Sequence, residues 1–125
     1  MPVTATKSKS VLVVDDSVLI VERLVEMLKE VESVKQLFTA ENYHEAVGVL
    51  SQRKPDLVLL DIHMPGKNGI DLLRFISSEY PETKVLMISN QVSEHYQRLC
   101  KQEGAIGFID KSKDFDQIPQ FVEEL

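Results

Sequence analysis

Five times along the chain a short apolar run of strand length is followed by a longer stretch whose apolar residues recur at helical spacing. The runs are VLVV (11–14), VKQLFTA (34–40), DLVLL (56–60), KVLMI (84–88) and AIGFI (105–109). VLVV and the LVLL that follows Asp56 are apolar without interruption, the pattern of strands covered on both faces, whereas 34–40 is weaker and fits a sheet edge. Between them, 17–31 repeats Ile20, Leu24, Met27/Leu28 and Val31, with Ser17 or Asp16 as its cap. Asn42 caps a second helix through about Gln52, with Ala46, Val47, Val49 and Leu50 as its apolar side. Pro65, Gly66 and Gly69 mark a loop over 62–69, and a third helix runs from about Ile70 to Tyr80 before Pro81. A fourth, more polar helix is expected from about Val92 to Glu103, closed by Gly104. The last spans Asp114 to Leu125, where Pro119 delays regular helix until near that residue.

Strict alternation implies an α/β fold: a five-stranded parallel sheet covered by helices on both faces. The expected form is a doubly wound (βα)5 three-layer sandwich, flavodoxin-like, with strand order 2-1-3-4-5. At 125 residues the chain is one domain, read as a flexible tail over 1–9 and a folded domain over 10–125. In such sheets ligands bind beyond the carboxyl ends of the strands. Asp15 and Asp16 fall there after strand one, Asp61 after strand three, Ser89 after strand four and Lys111 after strand five.

Those residue types suit one chemistry. Two carboxylates about 4 Å apart repel by roughly 4 kcal/mol at an effective dielectric near 20, so the cluster calls for a cation. An oxygen-only donor set favours a hard ion, Mg²⁺. Asp61 is the candidate nucleophile, able to accept a phosphoryl group as an acyl phosphate. The Lys111 ammonium would offset the added charge, and the Ser89 hydroxyl can donate to a phosphoryl oxygen. Taken singly, an Asp pair after a strand reads as a helix cap and a loop lysine as solvated. Their joint placement at four strand ends favours the site.

Composition removes other classes. A net charge of −6 argues against direct nucleic-acid binding, which needs clustered Lys and Arg. No apolar run approaches the ~18 residues of a membrane span. A single cysteine, Cys100, cannot form an internal disulfide, so a reducing, cytoplasmic setting is expected and the thiol reads as a packed small apolar group.

The acidic pair Asp15-Asp16, Asp61 within DIHMPGKNG, Ser89, Phe108 and Lys111 within KSKDF together resemble the receiver domain of bacterial two-component response regulators, from Ser10 to Leu125. The resemblance implies phosphorylation of Asp61 by a histidine kinase or histidine phosphotransfer protein. It implies Mg²⁺ held by Asp16, Asp61 and the backbone carbonyl of His63, with Asp15 acting through water. Lys111 would contact the phosphoryl group, and Ser89 and Phe108 would couple it to the face formed by helix 4, strand 5 and helix 5. The implied role is a phosphoacceptor signalling domain, self-catalysing phosphoryl transfer and slow autodephosphorylation, and not an enzyme acting on other substrates. It would be either stand-alone or the receiver of a longer, DNA-binding type of regulator, and a monomer or a weak phosphorylation-dependent dimer. The effector it addresses is unassigned.

Departures from the common pattern are Asn90, where Ala or Gly is usual and a larger side chain narrows access, and Phe108 in place of Tyr. His63 and Gln91 flank the cleft without an assigned catalytic role. On the first helix Val18, Val21 and Val25 share a flank, joined by Leu19, that would suit docking of a partner helix bundle; the alternative is a widely buried helix. His95, Tyr96 and Arg98 read either as output-face residues or as a solvated helix face. Three rival classes remain weaker. A phosphatase of the haloacid-dehalogenase type wants an Asp where His63 stands, and a flavin carrier wants a phosphate cradle where Asp15 and Asp16 stand. A receiver-like interaction module that is never phosphorylated has no need of the complete acidic set with Lys111.

Overall fold

The five apolar runs pair into a single parallel sheet of order β2-β1-β3-β4-β5. The computed structural model describes residues 8–90 and 93–125. The expected tail falls mostly outside them, as do Gln91 and the expected first residue of the fourth helix, Val92. In chain order the elements are β1 (Lys9–Val14), α1 (Val18–Lys29), β2 (Val34–Ala40), α2 (Tyr43–Arg53), β3 (Leu57–Asp61), α3 (Gly69–Glu79), β4 (Lys84–Ser89), α4 (Glu94–Gln102), β5 (Gly107–Asp110), a 3-10 turn (Phe115–Gln117) and α5 (Ile118–Glu124).

Side-chain alternation along the strands sorts the core into two layers. Leu12, Val14, Val58, Leu60, Val85 and Met87 face α2, α3 and α4, meeting Ala46, Leu50, Leu72, Leu73, Ile76 and Cys100. Val11, Val13, Leu57, Leu59, Leu86 and Ile88 face α1 and α5, meeting Leu24, Leu28, Ile118 and Val122. All five residues of β3 are buried, because that strand has both neighbours and both helical layers over it. β2 has a neighbour on one side only and exposes part of its length, as its weaker pattern predicts.

Local chemistry sets the helix starts. Ser17, Asn42, Asn68 and Ser93 each accept a backbone N–H of the first turn through their side chains. Asn68 and Asp71 close a full capping box. Two expected boundaries are corrected. β1 begins at Lys9, one residue inside the expected tail, because Lys9 is buried and its amide donates to the Ser33 carbonyl (2.8 Å). β5 begins at Gly107, not Ala105, because the Ala105 amide still donates to the Cys100 carbonyl at the end of α4 (2.9 Å). The last helix forms as expected, with a 3-10 turn first and Pro119 in the opening turn of α5.

Candidate functional site

Three backbone arrangements bring the charged residues to one edge. β1 ends at Val14, so Asp15 leaves the strand while its amide is still tied to the Ala40 carbonyl (3.1 Å). Its side chain folds back to accept the Ser17 amide at 2.9 Å, closing the turn into α1. Asp61 is the last residue of β3 and pairs in register with Ile88 of β4. Lys111 follows β5 directly, and its amide donates to the Ser89 carbonyl at 2.9 Å. Every residue at this edge is therefore placed by a ladder or a turn within one or two positions.

The side chains converge. Oxygens of Asp15, Asp16 and Asp61 lie within 4.8 Å of one another. Asp15 is fully buried, Asp61 is 5% exposed and Asp16 is exposed, so the cluster opens to solvent on one side. The Lys111 ammonium sits between two of the three, 2.5 Å from Asp15 Oδ2 and 3.2 Å from Asp61 Oδ1, with 7% of its side chain exposed. One ammonium against three carboxylates leaves an excess of negative charge. Asp61 registers it: burial first, and the Asp15 carboxylate second, hold its carboxyl above the ordinary carboxylate range. Lys111 and the His63 amide, which donates to Asp61, oppose that shift. Hard oxygen donors with uncompensated charge and an open side are a set that could hold a metal ion.

The loop after Asp61 approaches closely. Gly69 donates its amide to the Ile62 carbonyl at 2.7 Å, and a Cβ there would stand 2.0 Å from the Asp61 carbonyl oxygen. The sequence marked Gly69 only as a turn residue. Here it lets α3 start against the backbone of the Asp61 loop.

The other expected residues are distributed around this edge. Ser89 is fully buried at the end of β4, and Asn90 beyond it is exposed. Phe108 lies in β5, half-buried against the α4 layer. The α1 set divides: Val18 and Leu19 are 57% and 66% exposed, whereas Val21 and Val25 are half-buried and Val21 packs on the core. The exposed strip is thus narrower than expected, because α1 rests on both β1 and its neighbour β2. On α4, His95 and Arg98 are exposed, but Tyr96 is half-buried and meets the His63 ring. That contact carried no signal in the sequence, since His63 lies in the loop after β3 and Tyr96 in α4, and their spacing follows no period.

The family model of the response regulator receiver domain matches residues 11–123. The transcriptional regulatory protein LnrK of Bacillus subtilis is 32% identical over 112 residues, covering 90% of this chain and 51% of that protein. A protein-glutamate methylesterase/protein-glutamine glutaminase of Nitratidesulfovibrio vulgaris is 38% identical over 104 residues, covering 82% of this chain and 28% of its own length. The chain thus spans about half, or less, of the curated relatives it matches. Among solved structures, a CheX-CheY-BeF3-Mg complex from Borrelia burgdorferi aligns with a TM-score of 0.85 at 33% identity, over 94% of this chain and 89% of that one. No helix among the described residues is long and apolar enough to cross a membrane. With its five parallel strands in 2-1-3-4-5 order and its acidic cluster at their carboxyl ends, the chain belongs to the response regulator receiver domain family, the signalling domain of two-component systems.

Proposed function

We propose that this domain is a phosphorelay receiver whose phosphoacceptor is Asp61, taking its phosphoryl group from a histidine kinase or histidine phosphotransfer protein. The observation that carries the reading is the charge imbalance around Asp61: three converging carboxylates share one buried ammonium. A site with that excess is suited to a divalent cation and to a ligand whose charge Lys111 can follow. In the transfer, an Asp61 carboxylate oxygen attacks phosphorus, the bond from phosphorus to the donor imidazole nitrogen breaks, and that nitrogen keeps the electron pair. Asp61 needs no base, because it attacks as the carboxylate. Lys111 exchanges part of its pairing with Asp15 for the incoming phosphoryl oxygens, and the buried Ser89 hydroxyl offers a further donor. Asp16, Asp61 and the His63 carbonyl would hold Mg²⁺, with Asp15 acting through water; when bound, the ion supplies positive charge against the transferred group.

Phosphorylation adds charge at one end of the sheet, and the response is a shift between two packings of Ser89, Phe108 and the α4–β5–α5 face. Phe108, half-buried in β5 against the α4 layer, is the ring whose packing would change. Val18 and Leu19, exposed at the start of α1, are the docking residues we assign to the phosphodonor, with Val21 and Val25 supporting them from beneath. Its chemistry in this reading is its own phosphorylation and the slow hydrolysis of its own acyl phosphate.

Incubation with Mg²⁺ and a small phosphodonor, read by intact mass, tests the assignment. A gain of one phosphoryl group that Asp61→Ala abolishes is expected, together with beryllofluoride binding by the wild type. Neither mass gain nor beryllofluoride binding would leave the phosphorylation-independent interaction module as the better description.

A further inference from the structure

Ile62 and Met64 are both buried in the core layer beneath α3, so the chain between them turns His63 outward at the rim of the carboxylate cluster. The His63 amide is bound to the Asp61 carboxylate. Its imidazole stands edge-on to the Tyr96 ring, with centroids 5.7 Å apart and planes at 84°. Tyr96 is not a free surface residue. It is half-buried, packs against the same core layer as Ile62 and Met64, and sits in the first turn of α4, where its amide donates to the Ser93 cap at 3.1 Å. The His95 ring also contacts it, centroids 5.7 Å apart. One ring pair thus joins the loop that follows Asp61 to a helix that contributes none of the site's charged groups.

We propose that Tyr96 is a positioning residue for the Asp61 site. Its ring seats the His63 imidazole at the cleft rim, so that the placement of α4 sets the lifetime of the acyl phosphate. The proposal rests on Asp61 being the phosphoacceptor. Coupling of this kind is reciprocal: a partner that displaces α4 changes the lifetime, and the state of the Asp61 loop changes the affinity for that partner.

A double-mutant cycle tests it, with the half-life of the acyl phosphate as the readout. Tyr96→Leu is expected to change the half-life by about threefold, a factor within the worth of one aromatic pair, and Tyr96→Phe, which keeps the ring, to leave it near the wild-type value. In a His63→Ala background, Tyr96→Leu should have no further effect. Melting curves identify a variant that fails to fold; Tyr96→Met, which fills the buried half of the position without a ring face, then takes its place. Independently, in the unphosphorylated protein, the His63 ring proton shifts should move in Tyr96→Leu and stay in Tyr96→Phe. Equal half-lives in wild type and Tyr96→Leu, additive effects in the double variant, or unmoved ring protons overturn the coupling while leaving Asp61 as acceptor. A wild type that acquires no phosphoryl group overturns both.

Discussion

Asp61 is a destabilised carboxylate. Burial and the neighbouring Asp15 raise its pKa above the ordinary value, and the Lys111 ammonium only partly offsets them. For an acid raised in the folded state, the protonated form favours folding. That contribution is complete below the ordinary carboxylate range and is lost as pH climbs through the raised value. Without divalent ions, Asp61→Asn is therefore expected to stabilise the domain at neutral pH by roughly 1 kcal/mol, with the gain shrinking as pH falls toward the ordinary carboxylate range. Urea titrations of the two proteins at several pH values check this; a variant less stable than wild type at pH 7 would refute it. The gathering of Asp15, Asp16, Asp61 and Lys111 at one edge was legible in the sequence because each follows or ends a recognisable strand. Which carboxylate lies nearest the ammonium was not. Lys111 sits closer to Asp15 (2.5 Å) than to Asp61 (3.2 Å), a choice between the ends of two different strands that no local pattern encodes.

At the scale of the element, α5 is the segment most dependent on its surroundings. Seven residues are too few for a helix to persist alone, and it buries only Ile118 and Val122. Lys9 supplies a tie from the other end of the chain: its ammonium donates to the Val122 carbonyl at 2.6 Å, among the last carbonyls of the helix. This places a cation where the helix dipole and the unpaired carbonyls both favour one. Lys9 is buried, and that burial, followed by nearby Lys84, lowers its pKa. Lys9→Met keeps the stem and removes the donor. It is expected to loosen the end of α5 by about 1 kcal/mol, seen as faster amide exchange over 122–125 with the sheet amides unaffected. Unchanged exchange there would show that packing of Ile118 and Val122 is sufficient. The sequence placed Lys9 in a tail, because a lysine beside polar residues has no apolar period. Its role depends on a partner 113 positions away.

The whole molecule carries a net charge of −6 and gathers three of its carboxylates at one edge. Divalent ions should therefore stabilise it through that edge beyond general screening. Added Mg²⁺ is expected to raise the melting temperature at constant ionic strength, by about 2.7 kcal/mol of stability at a hundred times its dissociation constant. The effect should fall sharply in Asp16→Asn, whose side chain is exposed and whose replacement disturbs no core contact. An equal response in that variant would mean that the ion acts elsewhere. What the sequence by itself determined was the type and order of the elements, a parallel sheet covered on both faces, and the carboxylates and lysine at the strand ends. Hydrophobic period and strand termini are properties of neighbouring residues, so they can be read along the chain. Only the tertiary structure decided that Lys111 lies between Asp15 and Asp61, that Val21 and Val25 sink while Val18 and Leu19 stay out, that Gly69 must pass the Asp61 backbone, and that Tyr96 reaches His63. Each of these is a distance between distant segments, set by how helices settle on a twisted sheet, and no local pattern encodes it.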